Sequence, residues 1–396
     1  MSIFSLAQEE QLILYVLQEV MVHDASRISF GQRLAVSSSW EKFKELAMEQ
    51  EIVSFVFPIF KKTEIALPND ILDYFYHRYI SFLIWALHLE REYVRIAKLF
   101  QKASVDIVPI KGVAFLEDIY SACPSRQMCD IDVLIKEEDF QKAENILQDA
   151  GYTKDLEGLK EKYWRKHQCH IVFKNYSDTK MHTRIEVHWG LDFKRKNRVI
   201  LPELWQRVRQ ISFSQGLIKV LSPEDNLFSL ALHLRRMGNI LLLKNVLDTA
   251  LILRNYTLDW KYILKESMRG KMCASVFFLL FQAQHFLGSY IPPFVWEGLR
   301  IPLLQQKRIS CFIKKETFTF NEEEKMKQVY KQGHFLLYDS FWEPFFYVLN
   351  IPLEQFAKFY NLKQYDWRTK ILYHNRIWYV PYREVADRLI RRKRTC

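Results

Sequence analysis

The chain of 396 residues has only six cysteines, Cys123, Cys129, Cys169, Cys273, Cys311 and Cys396, scattered and with no Cys-x-x-Cys pair. That excludes a disulfide framework and suits a reducing, intracellular compartment. Glycine and proline are sparse as well, 11 and 12 residues, which excludes a collagen-like or low-complexity chain. Residues 1–20 lack the uninterrupted apolar stretch of a signal peptide, because Glu9, Glu10 and Glu19 punctuate them. The longest charge-free run, Met272–Trp296, is broken by Gln282, Gln284, His285, Gly288 and Pro292-Pro293. Only about nine contiguous apolar residues remain, against the ~20 needed to cross a bilayer, so the run reads as a buried helix followed by a turn. A cytoplasmic protein with no stable membrane insertion is expected. Ser-His-Asp, catalytic Cys–His, Walker and dinucleotide-binding fingerprints are also missing.

What is present fits a soluble globular chain. Hydrophobic residues make up 49% and charged residues 26%, enough for a full core under an ordinary surface. The length suggests two or three domains at ~150 residues each. With 29 Phe, 20 Tyr and 10 Trp, the core should be bulky. The formal charge of +11 favours a polyanionic partner such as RNA, a nucleotide or an acidic membrane face. Part of that excess sits in Arg388, Arg391, Arg392, Lys393 and Arg394, a cluster most simply read as a solvated terminus.

Hydrophobic period divides the chain into three stretches, 1–103, 104–215 and 216–396. The first is helical, with starts at Ser39 before Trp40 and at Pro68-Asn69-Asp70. Its last segment, Ile71–Phe100, keeps Leu72, Phe75, Tyr79, Phe82, Leu83, Ala86, Leu89, Tyr93 and Ile96 on one face, the mark of a long amphipathic helix. The second alternates strand and helix: Val105–Ile110 as strand, Gly112–Tyr120 as helix, Cys129–Ile135 as strand and Glu137–Ala150 as helix ended by Gly151. Two more strand-like runs follow, Cys169–Phe173 and Arg184–Trp189. After Ser222-Pro223-Glu224-Asp225 the helical period returns, divided by Ile291–Phe294 and Asn321–Lys325. The expected fold is α+β, a small mixed-sheet core flanked by N-terminal and C-terminal helical regions.

Chemistry concentrates in Cys129-Asp130-Ile131-Asp132-Val133-Leu134-Ile135. Strand side chains alternate faces, so Asp130 and Asp132 share one face while Ile131, Val133 and Ile135 enter a core. Two neighbouring carboxylates repel, and folding alone gives no reason for the pair; a divalent cation removes the penalty. Two solvated aspartates at a strand end would show the same letters. The run Arg184-Ile185-Glu186-Val187-His188-Trp189 alternates likewise, with Glu186 and His188 on the polar face. If the two strands neighbour each other in register, Glu186 completes a trio of acids, the arrangement for two-metal phosphoryl or nucleotidyl transfer. Lys111-Gly112, where a strand enters a helix, is a candidate phosphate corner built from free N–H groups, a cation and a small residue. Arg126 is a second candidate phosphate ligand.

The order of these elements resembles the nucleotidyltransferases of the DNA polymerase β-like superfamily, and more closely a bacterial family labelled only "uncharacterised nucleotidyltransferase". The resemblance extends to Trp40 and to Leu221-Ser222-Pro223-Glu224-Asp225, His233 and Asp248, covering most of residues 40–255. It implies a nucleotidyltransferase core, Mg²⁺ dependence with Mn²⁺ as substitute, and a nucleoside triphosphate donor such as ATP. Asp130 and Asp132 would bind the metals, Glu186 would be the third acid and candidate base, and Gly112 would open the phosphate-gripping helix. Two departures stand out: Val113 follows Gly112 where the superfamily often has Gly-Ser or Gly-Gly, and the third acid is Glu rather than Asp. The expected reaction moves a nucleoside monophosphate to a hydroxyl acceptor, in falling order a small metabolite or peptide natural product, an RNA end, or a protein side chain. The alternative is a non-catalytic nucleotide- or RNA-binding regulator.

Other polar residues have plainer readings. His167, Cys169, His170, His182 and His188 fit no closed zinc pattern, and Cys169 and His170 would face opposite ways on a strand. His188 reads better as a partner to the carboxylates. His233 reads as a satisfied core or interface histidine, and Asp248 as a helix ion pair with Lys244.

Overall fold

The structure is a computed structural model that describes residues 6–21, 28–120, 126–176, 182–193, 202–213, 216–237, 242–316, 333, 335–340, 342–343, 350–363 and 366–379. The basic cluster at 388–394 and the divider at 321–325 lie outside the described residues.

Five helices lead in: α1 (Gln8–Met21), α2 (Ile28–Ser37), α3 (Trp40–Glu49), α4 (Val53–Lys62) and α5 (Asn69–Lys102). Helices α3 and α5 begin where Ser39 and Pro68 stand, and α5 runs for 34 residues. Its buried stripe, Ile71, Phe75, Ala86, Leu89, Tyr93, Ile96 and Phe100, recurs at helical spacing and holds it against the core.

A five-stranded mixed sheet follows. Strand β1 (Val108–Pro109) leads to helix α6 (Gly112–Asp118), then come β2 (Ile131–Leu134), α7 (Phe140–Asp149), β3 (Thr153–Asp155), α8 (Glu161–His167), β4 (His170–Asn175) and β5 (Thr183–His188). The strand order is β1-β2-β5-β4-β3. The β2–β5 pair is parallel and the other three are antiparallel. Strand β1 is shorter than expected because Pro109 has no N–H to donate, although Ile110 N still donates to Asp132 O at 3.0 Å. Buried Ile131, Val133, Ile185 and Val187 make one face of the central pair a core layer.

A hairpin, β6 (Arg209–Phe213) and β7 (Gly216–Val220), precedes helices α9 (Pro223–Met237), α10 (Leu243–Asn255), α11 (Trp260–Arg269), α12 (Cys273–Leu287), α13 (Pro293–Gly298) and α14 (Leu303–Glu316). The charge-free run forms α12, buried nearly all round and closed by Gly288 in the left-handed conformation, with Ser289 N donating to Ala283 O. Among the described residues, no helix is long and apolar enough to cross a membrane. One hydrophobic cluster runs from Leu12 to Leu337, through the helices and the sheet alike.

A buried ion pair ties the loop before β2 to α10. Arg126 Nε and Nη2 donate to the two oxygens of Asp248 at 2.8 and 2.7 Å, and Tyr120 Oη donates to Oδ1 at 2.8 Å. Asp248 is therefore the partner of Arg126. Lys244, one turn earlier, instead reaches Glu51 and the Gln127 carbonyl. Arg126→Met leaves the Asp248 charge buried and uncompensated, so unfolding free energy in urea should fall by about 3–5 kcal/mol. Arg126→Met with Asp248→Leu removes both charges and should recover most of that loss. Equal losses in the two variants would contradict the buried-pair account.

Candidate active site

The parallel register of β2 and β5 places Asp132 beside Glu186 and Leu134 beside His188. Hydrogen bonding continues past the strands, with Ile135 N donating to His188 O at 2.9 Å. The side chains of Asp132, Glu186 and His188 meet on the face away from the Ile–Val layer, with ligand atoms all within 4.8 Å of one another. Asp130 lies in the bend just before β2 rather than on the strand, and stands outside that group among the described residues.

Four basic side chains surround the acids. His188 Nε2 lies 2.9 Å from Asp132 Oδ1 and 3.5 Å from Glu186 Oε2. Lys111 Nζ lies 3.3 Å from Asp132 Oδ2, His170 Nε2 is 3.6 Å from Glu186 Oε2, and Arg184 pairs with Glu186 Oε1. Burial pushes the Asp132 carboxyl up, but the Lys111 ammonium and the His188 hydrogen bond outweigh it and hold the group well below its ordinary range. Glu186 is likewise drawn down against burial, chiefly by His188. Asp130 goes the other way, to about 7, because burial and then the Asp132 and Glu186 charges disfavour its ionised form. His188 is fully buried, yet its bonds to Asp132, Cys169 and Glu186 hold its imidazolium to about pH 10.

Lys111 is turned inward. Besides Asp132 it meets His233 Nδ1, on α9, at 3.0 Å. This backbone has φ +56° and ψ −135°, a conformation that disfavours every residue with a Cβ. Gly112 opens a helix of only seven residues and is itself buried. A Cβ there would make ordinary contacts, at 3.6 Å to Met128 Sδ and 3.7 Å to the Asp130 carbonyl, so the protein's own packing does not require glycine.

The expected residues thus divide. Asp132, Glu186, His188 and Lys111 converge, with Gly112 next to Lys111. Asp130 sits at the edge of the group, near enough for their charges to raise its carboxyl. Arg126 is corrected: both arms of its fork are spent on Asp248 and it is only 4% exposed, so it presents nothing to a phosphate. Arg184 and His170 join the site without having been singled out as site residues, and His233, one of the positions to which the family resemblance extends, joins it through Lys111. For Arg184 the signal was there, since it precedes Glu186 by two positions on the same strand face. His233 reaches the site through a contact spanning 122 positions, which no local pattern encodes. Cys169 and His170 converge rather than diverge, because β4 begins at His170 and Cys169 lies in the bend before it; Sγ and Nδ1 are 3.7 Å apart.

Beside the Cys129–Asp130 bend, α5 lines a 330 Å³ cavity with Arg78, Ser81, Phe82 and Trp85, completed by Met128 and Cys129. That is the lower end of small-molecule pocket size.

The donor set fits a divalent ion. Opposite ligands of one ion with ~2.1 Å bonds lie ~4.2 Å apart, so carboxylate oxygens of Asp132 and Glu186 already within 4.8 Å need only a small contraction.

A small mixed sheet with facing acids on two parallel strands, fed by a strand–turn–helix corner, is the layout of a nucleotidyltransferase core. The chain belongs to the family described as "Uncharacterised nucleotidyltransferase", whose model matches residues 37–288. No curated protein and no solved structure is significantly similar to the chain. Membership supports a nucleotidyl transfer activity and, with it, a nucleotide substrate.

The strained backbone at Lys111 has a measurable consequence. Lys111→Gly and Lys111→Ala lose the same ammonium, but only the alanine retains a Cβ at positive φ. The glycine variant should be more stable to urea by about 1–3 kcal/mol. Equal stability, or a more stable alanine variant, would contradict the strain.

Proposed function

We propose that the protein transfers a nucleoside monophosphate from a nucleoside triphosphate to an acceptor hydroxyl and releases pyrophosphate, with Mg²⁺ or Mn²⁺ bound by Asp132 and Glu186. The observation that carries this reading is the pairing of Asp132 with Glu186 across two parallel strands. A divalent ion bound there would supply the charge that neutralises the phosphates and polarises the attacking oxygen. The chain's own residues do the rest. Lys111 and Arg184 bracket the acids with positive charge, and Arg184, 44% exposed at its side chain, takes the triphosphate-facing role expected of Arg126. His188 holds Asp132 and Glu186 in place from beneath. Glu186 is engaged by Arg184, His170 and His188, so accepting the proton of the hydroxyl falls to Asp130, at the mouth of the strand and beside the cavity. The cavity's size and its Phe82 and Trp85 walls favour a small metabolite or a peptide-derived molecule as acceptor.

One observation favours a second reading, a non-catalytic nucleotide binder: both oxygens of Asp132 already face a protein cation. Pyrophosphate release from an NTP mixture with Mg²⁺ or Mn²⁺ and candidate acceptors separates the two. The expected outcome is metal-dependent release that Asp132→Asn abolishes and Asp130→Asn lowers by about 10²–10⁴-fold. Release that survives Asp132→Asn would overturn the assigned centre. Absence of release with intact nucleotide binding would establish the second reading.

A further inference from the structure

Beside the acids lies a second set of donor atoms, on Cys169 and on the sides of His170 and His188 turned away from the carboxylates, to which the transfer reaction gives no role. Cys169 Sγ, a ring nitrogen of His170 and one of His188 all lie within 4.8 Å of one another. His170 and His188 are register partners across the antiparallel β4–β5 pair, and their rings stack with centroids 4.8 Å apart. Cys169 and His188 are fully buried.

The acids decide which nitrogens face the thiol. His188 commits Nε2 to Asp132 at 2.9 Å, and His170 turns Nε2 towards Glu186 at 3.6 Å. A carboxylate beside Nε2 keeps the proton on that nitrogen, so the nitrogen that loses its proton to a metal is Nδ1, the arrangement that metal-bound histidines almost always show. His188 Nδ1 is buried and the ring interacts with the Cys169 thiol, while His170 Nδ1 is 3.7 Å from Cys169 Sγ. Tetrahedral zinc, with Zn–S ≈ 2.3 Å and Zn–N ≈ 2.0–2.1 Å, requires a sulfur–nitrogen separation of about 3.5 Å, which the Cys169–His170 pair nearly meets and to which His188, within 4.8 Å of both, has to close.

We infer that Cys169 Sγ, His170 Nδ1 and His188 Nδ1 form a zinc site, with Asp132 and Glu186 as the carboxylates that orient its two imidazoles. Three protein ligands leave the fourth tetrahedral position to water. Binding releases the Cys169 thiol proton, and any proton on either Nδ1, to solvent. One sulfur and two imidazoles select a softer ion than Mg²⁺, so this site and the oxygen-lined face of Asp132 and Glu186 take different metals. Zinc would fix the β4–β5 pair where it begins at His170 and His188 and place a permanent positive charge beside both acids. The site does not depend on the transfer reaction, and its test reads metal rather than turnover.

The full chain, produced with zinc in the medium and dialysed, should carry close to one zinc per molecule by elemental mass spectrometry. Replacing zinc with Co²⁺ should give the strong visible bands of a tetrahedral site and a near-ultraviolet thiolate-to-cobalt band. Cys169→Ser should remove the thiolate band. Asp132→Asn should keep that band while weakening cobalt binding about 10–100-fold, the cost of an unsupported imidazole. A wild-type chain that holds no zinc and gives no thiolate band would overturn the site, whatever the variants do. A thiolate band that persists in Cys169→Ser would overturn it as well.

Discussion

Two carboxylates held side by side on neighbouring strands are the constraint to which the rest of the site answers. With donor atoms within 4.8 Å, a pair of full charges at an effective dielectric near 20 repels by about 3–4 kcal/mol. Typical domains are stable by only ~5–15 kcal/mol, so such a repulsion cannot go unanswered. The surrounding structure meets it with Lys111, Arg184, His170 and His188. A backbone bent into an unfavourable conformation at Lys111 is part of that arrangement, because it turns an ammonium inward where the acids need it.

The helices around the sheet belong to the same arrangement. From α9, His233 meets Lys111, so the cation beside Asp132 is itself held by the C-terminal helical region. From α10, Asp248 anchors Arg126 and through it the loop that enters β2. On the other side α5 reaches β5, where His88 and Thr183 meet at 2.9 Å, and it also lines the cavity by Asp130. Burial is continuous across these contacts, which is why the position of the acids depends on residues more than a hundred places away in the chain.

Much of this was legible in the letters, for a definite reason. Period-two alternation in 129–135 and 184–189 separates Ile131, Val133, Ile185 and Val187 from Asp132, Glu186 and His188; the first four form the core layer, but burial alone does not mark the polar face, because Glu186 and His188 are covered as well. Caps and apolar stripes marked the start of α3 and both ends of α5 to within a few residues, and the charge-free run marked α12 and its start. Alternation could not show that Asp130 falls just outside the strand, because a bend and a first strand residue carry the same letters. Nor could it reveal the choice made by Arg126, whose partner lies 122 positions on and is buried with it. Strand β3, short and polar at the sheet's edge, has no hydrophobic pattern to read. Cys169 was misplaced for a related reason: its neighbour His170 is on the strand and it is not, so a rule valid inside a strand fails at its first residue.

The most direct test of the central claim is a crystal structure of the protein with Mn²⁺ and a non-hydrolysable nucleoside triphosphate, phased to reveal anomalous scatterers. The account predicts a manganese peak bonded to carboxylate oxygens of both Asp132 and Glu186, with the triphosphate reaching the same ion. A manganese–nucleotide complex bound elsewhere, with Lys111 and His188 still occupying both oxygens of Asp132, would contradict it.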